Sequence, residues 1–200
     1  NALVENFAGQ WLQLRQMQNV NPNPDHYPAF DEPLRAAMIK ETRMFFSAIM
    51  QEDRSVLDFI NADFTFVNER LAKHYGMADV AGDEFRRVAL PRDQQRGGLL
   101  TQASVLTITS YSNRTSPVQR GKWVLENLLD AAPPPPPPDV PKLVEDEKAD
   151  LSGTLRQRME QHRVNPTCAA CHARMDPIGF GLENYDGIGA WRTQDRNKEK

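Results

Sequence analysis

Residues 166–172 read PTCAACH, so both cysteines of this 200-residue chain stand three positions apart with a histidine directly after the second. On a helix, positions i, i+3 and i+4 share one face, so Cys168, Cys171 and His172 point to the same side of a single turn. Two thiols placed in this way can each add across one vinyl group of a porphyrin. The imidazole can then meet the iron from one side. The spacing therefore predicts covalent attachment of haem c, with His172 as the proximal iron ligand. Three other readings compete. A thioredoxin-like redox pair needs no histidine and follows a strand in a βαβ unit, which the sequence does not offer. A zinc site would draw on Cys168, Cys171, His162 and His172, but adjacent Cys171 and His172 do not converge easily on one tetrahedral ion. An incidental pair of buried cysteines is the third.

The segment after the motif, ARMDPIGFGLENYDGIGAWR, fits a cofactor pocket. Pro177 is expected to end the attachment helix. Gly179, Gly181, Gly187 and Gly189 then alternate with apolar residues, of which Ile178, Phe180, Tyr185 and Trp191 are the candidate lining. Such a chain can bend closely around a planar ligand while covering it with apolar surface. The same pattern also suits an ordinary glycine-rich loop over a small core. The distal side of the iron has three candidate sources: His162, set off from the motif by Asn165–Pro166; Met175, if the chain turns sharply at Asp176–Pro177; or a ligand from outside this chain. Methionine opposite histidine raises the potential, a second histidine lowers it, and an open position permits peroxide or oxygen chemistry. Arg163, Arg174 and Arg192 have the guanidinium geometry to pair with haem propionates, although each taken alone reads as a solvated surface arginine.

These residues must be positioned by the rest of the chain, which reads as mainly α. Residues 2–17 place Leu3, Phe7, Trp11 and Leu14 at helical spacing and predict one amphipathic helix. Asp31 and Pro33 open a second helix whose inner face is Leu34, Met38, Phe45 and Ile49, with Met44 and Met50 as further packing. TFVNERLAKHYG predicts a helix stopped by Gly76, VAL at 88–90 a short strand, and GGLLTQASVLTITS a buried helix or helix-turn. Ser116 and Pro117 start a helix with Val118, Trp123 and Leu125 inward. Six prolines, Pro133 to Pro138, then force a polyproline II spacer of about 19 Å. Beyond it come acidic EDEKAD and a helix over LRQRMEQHR. The expected organisation is a helical body over 1–131, a polyproline and acidic linker over 132–150, and a small cytochrome c-like haem-binding module over 151–200, incomplete at its C-terminal end. His26 and His74 fall in the body and read as surface or capping histidines.

Bulk properties exclude some functions. The formal charge of −3 gives no basic field for nucleic acid or anionic lipid. No apolar run is long enough to cross a bilayer. The body holds no nucleophile–base pair, phosphate loop or HExxH motif. The first residue is Asn1, and the end lacks structural punctuation, so the chain reads as a piece of a longer protein.

Two long stretches, HRVNPTCAACHARMDPIGFGLENYDGIGAWR and GGLLTQASVLTITSYSNRTSPVQRGKWVLENLLDAAPPPPPPDVP, resemble the large multidomain cytochromes abundant in planctomycetes and related bacteria. NADFTFVNERLAKHYG and FDEPLRAAMIKETRMFF fit the same resemblance, which thus covers nearly the whole chain. It implies an exported protein, periplasmic or at the cell surface, with covalently bound haem. Such a protein would pass electrons to redox partner proteins or neighbouring cytochrome domains. A haem enzyme with an open distal site is the alternative of a different class, and a helical docking module with a zinc knot is the third.

Overall fold

The computed structural model describes residues 2–91, 95–135, 155–162 and 166–194, which are mainly helical with one two-stranded sheet. The expected linker from residue 136 to 150, and the first residues of the expected module, 151 to 154, lie outside the described residues. The chain divides into two compact units: Asn1–Ser116 with Tyr185–Trp191, and Pro117–Asn184 with Arg192–Lys200. Two expected boundaries therefore move. The helix after Ser116 joins the C-terminal segment, and the Tyr185–Trp191 turn joins the body.

In the first unit, the predicted opening helix is split. A π-helical stretch over Leu3–Ala8 runs into α1 (Gly9–Trp11), and Gln13 then turns left-handed before a 3-10 turn over Leu14–Gln18. Val4, Ala8 and Leu12 are the buried stripe, while Leu3 and Phe7, expected inside, are 48% and 52% exposed. The second helix, α2 (Glu32–Gln51), forms as predicted. The Asp31 carboxylate accepts from the Leu34 N–H at 2.7 Å, satisfying one of the amides a helix start leaves unpaired. Leu34, Met38, Phe45 and Ile49 are buried as expected, Met44 and Met50 only half-buried. After the short α3 (Asp58–Asn61), the region predicted as one helix opens with a strand, β1 (Phe64–Val67). Asn68 then caps α4 (Glu69–Tyr75), which Gly76 stops in the left-handed conformation. The strand forms because β2 (Arg86–Ala89) pairs with it antiparallel, Phe64 opposite Ala89 and Val67 opposite Arg86. A 3-10 turn over Leu99–Thr101 leads into α5 (Ala103–Ile108), every residue of which is buried.

The second unit contains α6 (Pro117–Asn127), α7 (Leu155–His162) and α8 (Pro166–Phe180). Trp123 and Leu125 of α6 are buried as expected, and Val118 is half-buried. The α6–α8 pair is held at unusually close range by two glycines. A Cβ on Gly121 would lie 1.9 Å from the Met175 carbonyl oxygen, and one on Gly179 would lie 1.8 Å from that of Pro117. Arg120, almost wholly buried, donates from Nη1 to the Leu182 carbonyl at 2.6 Å.

Candidate functional site

Helix α8 begins at Pro166, whose missing N–H costs nothing in a first turn. It carries Cys168, Cys171 and His172 over the next two turns. Both cysteines are half-buried and neither is in a disulfide. The His172 ring donates from Nδ1 to the Asp176 carboxylate at 2.9 Å, one turn further on. The His172 side chain is 16% exposed and that of Asp176 0%. This bond fixes the tautomer, so Nε2 is the nitrogen His172 presents to a ligand.

Sequence reasoning missed Asp176 as a functional group, although the signal was available. A carboxylate four residues after a candidate ligand histidine, on the same helix, is placed to orient it. The sequence is corrected at Pro177, which does not end the helix. Helix α8 continues through it to Phe180, at the loss of one backbone bond. The sharp turn that would carry Met175 across to the distal side is thus absent. Met175 stays one turn beyond His172 on the same helix, 6% exposed, its backbone against Gly121. His162 closes α7; its side chain and Arg163 lie outside the described residues.

The four apolar candidates do not form one set. Ile178 and Phe180 are half-buried on α8, and the Arg156 guanidinium of α7 lies 4.7 Å from the Phe180 ring centre. Tyr185 and Trp191 belong to the first unit, where their rings meet edge-on at 5.2 Å. Tyr185 is 3% exposed and donates to the Gln95 carbonyl, while Trp191 is 41% exposed. Of the candidate propionate partners, Arg192 is committed to Glu183, donating to its carboxylate at 2.8 Å, and Arg174 is exposed. His74 is corrected from surface or cap to a half-buried group whose Nε2 meets the Ile188 carbonyl at 2.8 Å. Burial holds its pKa below the usual histidine value.

These residues fit the demands of haem attachment. Two half-buried thiols outside any disulfide stand one turn apart, and the adjoining imidazole has its outer nitrogen selected by a buried carboxylate. Haem asks only one or two side-chain ligands of the protein, unlike zinc. Among the described residues no group of three or more His, Cys, Asp or Glu is placed to hold a metal ion.

The fold and motif thus define a mainly helical protein in which a CxxCH helix packs in a glycine-mediated pair. The chain belongs to PSCyt3, a family of unknown function (DUF1588), whose model matches residues 96–195. Residues 1–77 match a second family of unknown function, PSD4 (DUF1592), so two such domains stand in tandem. No curated protein and no solved structure matches the chain.

Proposed function

We propose that this chain is part of an exported multidomain cytochrome that binds haem c and transfers electrons to redox partner proteins or neighbouring cytochrome domains. Cys168 and Cys171 would hold the macrocycle by thioethers, and His172 would bind the iron through Nε2. Haem supplies a one-electron carrier whose potential follows its axial ligands and their hydrogen bonds. The observation that carries the reading is the His172–Asp176 bond, which readies one ring nitrogen beside two thiols. The label of the family matched over residues 96–195 points the same way. Ile178 and Phe180, on the same helix, would cover part of the macrocycle. His162 is the candidate distal ligand from this chain, since it stands on a different helix from His172.

The test is expression in a host that matures c-type cytochromes. A cofactor that stays attached through a denaturing gel, and is lost in the Cys168→Ala/Cys171→Ala chain, is the expected result. Colourless protein of unmodified mass would end the proposal. Low-spin spectra in both redox states favour electron transfer, whereas a high-spin ferric band that shifts with cyanide turns the reading to catalysis. An unchanged low-spin spectrum in His162→Ala removes that ligand. Asp176→Asn should keep the cofactor attached but raise its reduction potential, because an amide makes the imidazole a weaker donor than a carboxylate does. Potentiometric titration of the two proteins reads the difference.

A further inference from the structure

The turn Tyr185–Trp191 is built like a ligand for the surface it occupies in the first unit. Its shape is held by its own bonds: the Asp186 carboxylate accepts from the N–H groups of Ile188 at 2.9 Å and Ala190 at 2.8 Å. The Asp186 N–H donates to the Ala190 carbonyl at 2.8 Å, and Tyr185 and Trp191 close the turn as an antiparallel bridge. Its outward backbone carbonyls are then read by side chains of the body. His74 meets that of Ile188, and Arg96 donates from Nη2 to that of Gly189 at 2.7 Å.

Arg96 is itself fixed for this task. Its Nη1 donates to the Thr101 carbonyl at 2.7 Å, and its guanidinium lies 3.8 Å from the Tyr75 ring centre and 5.2 Å from that of Tyr185. The two glycines of the turn admit no side chain. A Cβ at 187 would lie 2.3 Å from the Tyr27 hydroxyl, and one at 189 would lie 2.6 Å from the Ala103 Cα, where φ is also +80°. Tyr185 and Ile188 are both 3% exposed. Tyr27, His74 and Tyr75 lie in the span matched by PSD4, whereas the turn lies in the span matched by PSCyt3.

We propose that the surface formed by Tyr27, His74, Tyr75, Arg96 and Ala103 is a peptide-recognition site whose ligand is the Tyr185–Trp191 turn. Backbone carbonyls presented by a preformed, glycine-containing turn are the chemistry it recognises, and low ordering cost is what a rigid turn contributes to docking. The inference does not depend on the haem reading.

Amide hydrogen exchange on the intact chain tests it. In the wild-type protein the amides of residues 186–190 should exchange at least ~100-fold more slowly than in a free peptide. Gly189→Val should return them to free-peptide rates while α2 and β1 keep their protection. Arg96→Gln, which adds no bulk, should speed their exchange about 10-fold. A head-to-tail cyclised peptide of residues 184–192, added to the Gly189→Val chain, should shift the His74 ring resonances saturably, and a scrambled cyclic peptide should not. Free-peptide exchange of the turn in the wild-type chain overturns the proposal. So does a peptide titration that leaves His74 unmoved. Loss of α2 and β1 protection in Gly189→Val alongside that of the turn also overturns it, since the turn would then be core rather than ligand.

Discussion

Gly179→Ala and Gly121→Ala should each destabilise the second unit by about 3 kcal/mol, against the direction that helix propensity dictates. Alanine inside a helix is ordinarily favoured over glycine by up to about 1 kcal/mol, because it leaves less backbone freedom to lose. Here the added methyl would meet backbone, 1.8 Å from the Pro117 carbonyl oxygen for residue 179 and 1.9 Å from that of Met175 for residue 121. A side chain in the way could rotate aside; a helical carbonyl cannot move without its helix. Relief therefore requires α6 and α8 to separate along their contact, and dispersion and burial are lost over the whole pair. Gly9 of α1 is the internal control, because nothing lies within 4 Å of a Cβ added there. Gly9→Ala should stabilise by a few tenths of a kcal/mol to about 1 kcal/mol. Denaturant melts of the three variants measure the signs, and hydrogen exchange should place the loss in α6 and α8. A Gly179→Ala chain as stable as wild type would show that the two helices are not packed in this way.

The contrast between these glycines shows what could be read from the sequence. Gly76 was legible because its role is local: a helix ends, and the next residue must turn left-handed. The Asp31 cap and Pro33 were legible for the same reason, as was the CxxCH face, which depends only on helical spacing. Gly179, Gly187 and Gly189 read in the sequence as glycines that admit a close neighbour, but the sequence does not say whether that neighbour is a flat ligand or protein. In the structure each is met by protein, at Pro117, Tyr27 and Ala103. Nothing within twenty residues of Gly187 points to Tyr27; that pairing is made by tertiary contact. β1 was hidden similarly, since Phe64–Val67 becomes a strand only through β2, some twenty residues on. At the opening helix Leu3–Phe7 and Val4–Ala8 have the same spacing, so periodicity alone does not say which pair faces inward; tertiary packing selects Val4 and Ala8.

Glu41 escaped notice for the same reason, and it gives the second large effect. In sequence it is an ordinary acidic residue in the middle of α2. In the structure it is 1% exposed, and its carboxylate accepts from the Thr65 hydroxyl of β1 and the Tyr75 hydroxyl of α4, both at 2.6 Å. Tyr75 in turn accepts the Ala103 N–H at 2.9 Å at the start of α5, so one buried group joins four elements. Burial pushes the Glu41 carboxyl up to about 7, against the lowering influence of the two hydroxyl donors and the Arg96 charge. Burial and the same carboxylate push the Tyr75 phenol upward, so it keeps its proton as Glu41 titrates. The folded state therefore holds a proton that the unfolded chain releases near 4.5. Stability from this group is fully present below pH 4.5 and is lost as pH rises through about 7. The gap corresponds to about 3 kcal/mol. Glu41→Gln keeps an acceptor oxygen without an ionisable proton, so it should lack this loss. The stability of Glu41→Gln minus that of wild type should thus grow by about 3 kcal/mol between pH 4.5 and pH 8, whatever its offset at acid pH. Taking the difference cancels the other carboxylates, which titrate alike in both chains. Urea unfolding across that range measures the slope, and a difference that stays flat with pH would mean that Glu41 is charged throughout and that its two hydroxyl donors and Arg96 outweigh its burial.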